Sequence, residues 1–227
     1  MTAAIDHLRA QVADAAHVLA QSGLVIGSAG NVSARVADRI AVTPTGARLG
    51  TLTAAEVAVV DLEGTLVDGP SAPTSELPFH LAIYEHFDAA AVVHTHPPMG
   101  TAVACVTDEL PFFHYALLPI GGSIRVARYA TFGTPDLAAS VVDALDGRRA
   151  ALMGSHGAVT YGDSLQAALD ATQLLEWACE VYVHACACGT PRVLGEDERL
   201  ALAQAFANYG CASTDRPAAP PRPPARD

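Results

Sequence analysis

The chain has 227 residues, 51% of them apolar, and a formal net charge of −11. That length suits one globular α/β domain with a full core. The acidic balance argues against a nucleic-acid partner, which a basic patch would announce, and no run of about eighteen apolar residues offers a membrane span. The 5 cysteines include no Cys-x-x-Cys pair, and residues 3–22 read as an amphipathic helix rather than a secretory leader, so a reducing cytoplasm is expected.

Taken in order, Leu8, Val12, Ala15, Ala16 and Leu19 fall at helical spacing, with Gly23 as the stop. A glycine-rich turn, Gly27-Ser-Ala-Gly30, then enters a hairpin whose strands begin near Val32 and span 39–43. Thr43-Pro-Thr-Gly46 is a second small-residue turn. A strand is expected over 57–62, with a further hairpin at Glu63-Gly64. Pro73 to His80 opens a helix with Ser75 as N-cap, Glu76 in its first turn and an end near Phe87. His80, four residues beyond Glu76, is read as structural.

Ala90-Ala-Val-Val-His-Thr-His-Pro-Pro98 is a short buried strand. Residues two apart share a face of a strand, so Val92, His94 and His96 line one side and Val93 and Thr95 the other. A short helix over 99–105 follows, then strands over 112–118 and 125–129, a loop over 131–136 and a helix over 136–146. Ala150 to Gly157 is read as the last buried strand, delivering His156 at its end. Helices over 165–188 and about 196–208 complete the domain, taken as 1–211, and the Pro/Ala/Arg-rich residues 212–227 read as a disordered tail. Cys186-Ala-Cys188 lies within the first of these helices and is read as structural.

Histidines at two strand ends and a carboxylate at a helix start make an open zinc site: His94, His96 and His156, with Glu76 as ligand or base. The turns at Gly30-Asn31, Thr45-Gly46 and Thr74-Ser75 make an anion cradle of N–H and hydroxyl donors. A divalent ion beside an anion pocket suits chemistry at a carbonyl near a phosphate, the ion acting as a Lewis acid. All 13 basic residues are arginine, so an imine route through lysine has no residue to carry it. Tyr115 is either a core tyrosine or a polar group facing a site.

Gly30-Asn31-x-Ser33, Thr43-Pro-Thr-Gly46, Thr74-Ser-Glu76, His94-Thr-His96-Pro97 and Ser155-His-Gly157, in this order, resemble the motifs of the class II aldolase/adducin family. The resemblance runs from the first hairpin to Tyr209. It implies a three-layer α/β/α sandwich on a central, mostly antiparallel sheet, and a homotetramer with sites at subunit boundaries. It implies that His94, His96 and His156 hold Zn²⁺, and that Glu76 ligates the resting metal and then serves as acid/base. Gly30, Asn31, Thr45, Gly46, Thr74 and Ser75 would bind the phosphate. Tyr115 would reach the neighbouring subunit's site and handle the aldehyde oxygen, with Phe132 and Tyr209 on the aldehyde side. The implied reaction is reversible cleavage of a ketose 1-phosphate, of the L-fuculose or 5-deoxypentulose kind, to dihydroxyacetone phosphate and an aldehyde. The alternatives are a dehydratase acting on a methylthioribulose 1-phosphate, a sugar-phosphate 4-epimerase, and a non-catalytic adducin-like module. Thr74 and Ser155 depart from the family's usual residues in ways that leave the aldehyde open.

Overall fold

The computed structural model describes residues 2–214, with the backbone alone at 2 and 209–214. Its elements, in chain order, begin with α1 (Thr2–Gln21), β1 (Asn31–Val36), β2 (Arg39–Val42), β3 (Ala58–Val60) and β4 (Leu66–Asp68). Then come α2 (Leu77–His86), β5 (Ala91–Thr95), α3 (Pro98–Ala104), β6 (Glu109–Leu110) and β7 (Ile124–Ala127). The last are α4 (Pro135–Leu145), β8 (Ala150–Met153), β9 (Gly157–Gly162), α5 (Leu165–Cys188) and α6 (Glu196–Thr214).

The strands form one sheet in the order β4-β3-β2-β1-β5-β9-β8-β7-β6. Every neighbouring pair is antiparallel except β7 with β8. Those two are joined by α4, the kind of crossover a parallel pair requires. Helices cover both faces. Val92 of β5 packs with Phe79 and Ile83 of α2 and with Leu137 and Val141 of α4. Ala91 and Val93, on the opposite face, pack with Leu8, Val12 and Leu19 of α1. Leu152 and Ala158 extend that second face against Val103 of α3 and Leu175 and Cys179 of α5. Each fully buried Val or Leu is worth about 1.5–3 kcal/mol, which is what holds the three layers together. The expected α/β/α sandwich on a mostly antiparallel sheet is present. Among the described residues no helix is long and apolar enough to cross a membrane.

Some local expectations need correction. The strand expected over 112–118 is absent: β6 ends at Leu110, and Tyr115–Ile120 is a 3₁₀ helix. Pro111 and Pro119 cannot donate to a strand ladder, and the His114 ring accepts from the Ala116 N–H to start the turn. The strand expected over 150–157 stops at Met153, and the chain turns through Gly154, Ser155 and His156 into β9, a further strand beyond the one expected to be the last. Glu76, not Ser75, is the N-cap of α2, and its own N–H lies 3.3 Å from the Thr74 hydroxyl. Helix α6 runs through 212–214, into the stretch read as tail; residues 215–227 lie outside those described.

Candidate metal centre and adjoining cleft

The site lies at one end of β1, β5 and β9. Antiparallel pairing sets Asn31 opposite His94, and His94 opposite Val159. His96 follows β5 and is held by its N–H on Leu24 O at 3.0 Å. The strand then meets Pro97 and α3, whose first N–H groups, Met99 and Gly100, donate to the Glu176 carboxylate at 2.9 and 2.8 Å. His156 comes from the tight turn between β8 and β9, where Ser155 adopts φ 51°, a left-handed conformation that costs a non-glycine residue on the order of 1 kcal/mol.

Glu76, His94, His96 and His156 converge, with one ligand atom from each lying within 4.8 Å of all the others. His94 Nε2 is 3.0 Å from His96 Nε2 and 3.1 Å from Glu76 Oε2, while His156 Nε2 is 3.3 Å from Glu76 Oε1. His94 Nδ1 faces Ala158 O at 2.9 Å. A carbonyl only accepts, so Nδ1 carries a proton and Nε2 is the nitrogen turned inward. The three Nε2 atoms and the Glu76 carboxylate thus face one point, where either shared protons or a cation must offset their mutual repulsion. Glu76 Oε1 is also buried and, among the described residues, meets no well-formed hydrogen bond, His156 Nε2 being its neighbour at 3.3 Å. A tetrahedral zinc with bonds of ~2.0–2.1 Å separates its ligands by ~3.3 Å, so the donor set and spacing fit such an ion.

The electrostatics agree. Burial alone would push the Glu76 carboxyl up, but the His156 and His94 imidazoles and the Asn31 amide outweigh it and hold the group well below the usual carboxylate range. Burial, then the neighbouring His94 and His156 rings, lowers His96 to about 4, so it stands neutral and ready to coordinate at pH 7. Burial lowers His80 to about 3.

Beside this cluster opens a cleft of about 510 Å³. Its walls include Gly30, Asn31, Thr45, Gly46, Thr74 and Ser75, the whole of the expected anion cradle. The turns that carry them are tied together: Thr45 N–H donates to Ala72 O and Thr74 N–H to Thr43 O. Gly30, at φ 92°, is where a side chain would collide with Val25 and His94 O, so the turn closes against the metal cluster only with glycine there. Among the described residues, none lining this cleft is Arg or Lys. Asn31 is 4% exposed, with its amide nitrogen 2.9 Å from Glu76 Oε2.

These motifs have known relatives. The description "Class II Aldolase and Adducin N-terminal domain" matches residues 10–183. The chain belongs to the class II aldolase and adducin family. It is 38% identical over 205 residues to the 5-methylthioribulose-1-phosphate/5-deoxyribulose-1-phosphate aldolase of Rhodospirillum rubrum, covering 89% of this chain and 92% of that one. It is 33% identical over 192 residues to the 5-deoxy-D-ribulose 1-phosphate aldolase of Bacillus thuringiensis serovar kurstaki, covering 83% and 90%. A solved L-fuculose 1-phosphate aldolase superposes with a TM-score of 0.85 at 31% identity, over 88% of this chain and 96% of that one. The enzyme class expected from the motifs, class II aldolase, agrees with all of these.

Within this family fold, Phe132 stands at the cleft mouth, 65% exposed. Tyr115 does not reach this cleft; it is 55% exposed and lines a separate hollow with Leu202, Ala205 and Phe206. The side chain of Tyr209 lies outside the described residues. Sequence reasoning missed Ser28, Tyr129 and Ser155, which also line the cleft. Tyr129 closes the stretch read as a strand over 125–129, but β7 ends at Ala127, and Tyr129 lies in the loop before α4, where it lines the cleft.

Proposed function

We propose that this chain is a zinc-dependent class II aldolase that reversibly cleaves a ketose 1-phosphate into dihydroxyacetone phosphate and an aldehyde. The observation that carries the reading is the convergence of Glu76, His94, His96 and His156 beside a cleft walled by hydroxyl and N–H donors. His94, His96 and His156 would hold the ion, with Glu76 completing the resting set. When bound, zinc supplies Lewis acidity that stabilises negative charge developing on the carbonyl side of the sugar. Gly30, Asn31, Thr45, Gly46, Thr74 and Ser75 seat the phosphate through dipoles rather than full charges.

In the cleavage direction the C4 hydroxyl loses its proton with help from Tyr115, and the C3–C4 bond breaks. Its electron pair passes to C3, and the aldehyde departs. Glu76, leaving its imidazole contacts, takes up a proton from water and delivers it to C3, while the C4 hydroxyl proton passes by way of Tyr115 to water, and dihydroxyacetone phosphate results. Tyr115 is exposed and remote from its own cleft, which suits the expectation that it serves a neighbour in a cytoplasmic homotetramer. Tyr129, Ala130 and Phe132 add apolar carbon to the lining of the cleft, favouring an aldehyde with an apolar end. The two curated relatives named above act on 5-deoxyribulose 1-phosphate, so a 5-deoxypentulose 1-phosphate is the preferred substrate, ahead of L-fuculose 1-phosphate.

The test is to incubate purified, zinc-loaded protein with each ketose 1-phosphate and assay triose phosphate. Release of dihydroxyacetone phosphate with one equivalent of aldehyde is expected. A diketone phosphate formed with loss of water would replace this reading with the dehydratase, and an epimerised sugar with no cleavage would replace it with the epimerase.

A further inference from the structure

Five side chains from two elements interlock along one line. Glu76 stands at the N-cap of α2, and His80 and Tyr84 follow at four-residue intervals on the same helical face. Asn31 and Ser33 are two apart on one face of β1. Four helical residues advance ~6 Å and two strand residues ~6.6 Å, so the two series stay in step. The contacts alternate between the elements. Asn31 Nδ2 lies 2.9 Å from Glu76 Oε2, and Asn31 Oδ1 lies 2.5 Å from His80 Nε2. His80 Nδ1 lies 2.7 Å from Ser33 Oγ, which lies 2.8 Å from the Tyr84 hydroxyl. All five residues are buried.

The chemistry of the first link fixes the direction of all the others. An ionised carboxylate only accepts, so Asn31 turns its NH₂ to Glu76 and its carbonyl oxygen to His80. That oxygen also only accepts, so His80 carries its proton on Nε2. The neutral ring accepts at Nδ1 from the Ser33 hydroxyl, whose oxygen accepts from Tyr84 in turn. Reversing one link would set two acceptors against each other in a dry interior, where an unmet polar group is costly.

We propose that Tyr84, Ser33 and His80 are positioning residues that lock the Asn31 amide, so that its NH₂ holds the Glu76 carboxylate in place at the metal cluster. This rests on the reading of Glu76 as ligand and acid/base. None of Tyr84, Ser33 and His80 lines the cleft, so none meets the substrate. With an apolar residue in place of His80, the Asn31 amide would be free to flip and oppose its oxygen to the carboxylate. Groups one step removed from a metal commonly matter at about the 10–100-fold level in affinity or activity.

Two near-isosteric variants separate positioning from space-filling. The amide of His80→Gln reaches the place of Nε2 and still donates to Asn31 Oδ1, whereas that of His80→Asn is too short to do so. Zinc affinity is read by chelator competition, and the His80 tautomer of the metal-free protein is read from the ¹⁵N shifts of its ring. The expected results are the Nε2–H tautomer in the unsubstituted protein, zinc affinity within about threefold for His80→Gln, and a loss of about tenfold or more for His80→Asn. An Nδ1–H tautomer, or equal affinity in both variants, would overturn the proposal. Should His80→Asn not fold, Ser33→Ala replaces it: removing the donor to Nδ1 leaves the ring's acceptor unmet and its orientation loose, so zinc should bind more weakly while the Nε2–H tautomer stays, and unchanged affinity overturns the proposal. Graded zinc binding in a protein that cleaves no ketose 1-phosphate would sink the aldolase reading and leave the positioning chain standing.

Discussion

Replacing Gly157 by alanine probes how tightly the metal cluster is built into the sheet. A Cβ placed there falls well inside contact distance of Thr95 O and 3.4 Å from His94 Cε1. A carbon and a carbonyl oxygen settle at ~3.3–3.6 Å, so on the order of 1 Å must be found. The oxygen cannot give easily, because Thr95 is paired with Ala158 in the β5–β9 ladder. Ala158 O in turn orients His94 through Nδ1. Overpacking of this kind costs about 1–3 kcal/mol, and a weakened buried hydrogen bond adds about 1 kcal/mol. At ~2–4 °C per kcal/mol for a chain of this size, Gly157→Ala should lower Tm by about 5–15 °C. It should also weaken zinc, since His94 and His156 flank the strained point. Thermal unfolding and chelator competition on the same preparation read both effects. A variant with wild-type Tm and wild-type zinc affinity would refute the claim that this glycine is held by close approach.

Other outcomes follow from the same geometry. His94→Ala, His96→Ala and His156→Ala should each lose stoichiometric zinc, measured by elemental analysis, while circular dichroism shows a folded chain; retained zinc would count against the assignment. Glu76→Gln should slow proton exchange on dihydroxyacetone phosphate by about 100-fold or more while phosphate competition stays near wild type, and an unchanged exchange rate would remove the acid/base role. Acid should destabilise the metal-free protein from a higher pH than carboxylates alone dictate. His80 and His96 have folded values of about 3 and about 4, below the ordinary 6.5. The unfolded chain therefore takes up protons below about pH 6.5 that the folded chain refuses, and stability falls as pH drops toward the folded values. For fully buried His80 the slope is about 1.4 kcal/mol per pH unit, and His96, partly exposed, adds less. Denaturant unfolding that is flat between pH 6.5 and 4 would contradict this, and His80→Gln should flatten the curve by the His80 share.

The residues that converge on the metal site were legible because each obeys a short-range rule. His94 and His96 share a strand face by period two, and Glu76 marks a helix start two residues before Pro78. His156 was placed at the right end of the sheet although its strand stops three residues earlier, since a turn and a strand end deliver a side chain to the same rim. Strand β9 escaped because Gly157 and Gly162 bracket it and read as loop punctuation, while its pairing with both β5 and β8 is set by partners far along the chain. The 3₁₀ helix at Tyr115 escaped because an apolar aromatic run has strand propensity, and prolines on either side overrule it. His80 was read as structural, which its burial supports. Its hydrogen-bond direction became visible only once Asn31 and Glu76 were seen in contact.

The most direct measurement is anomalous scattering on both sides of the zinc edge, from crystals grown with one equivalent of zinc. The expected map has a single peak per chain bounded by His94, His96, His156 and the Glu76 carboxylate. A map empty there, with zinc instead on the exposed thiols of Cys186 and Cys188, would contradict it.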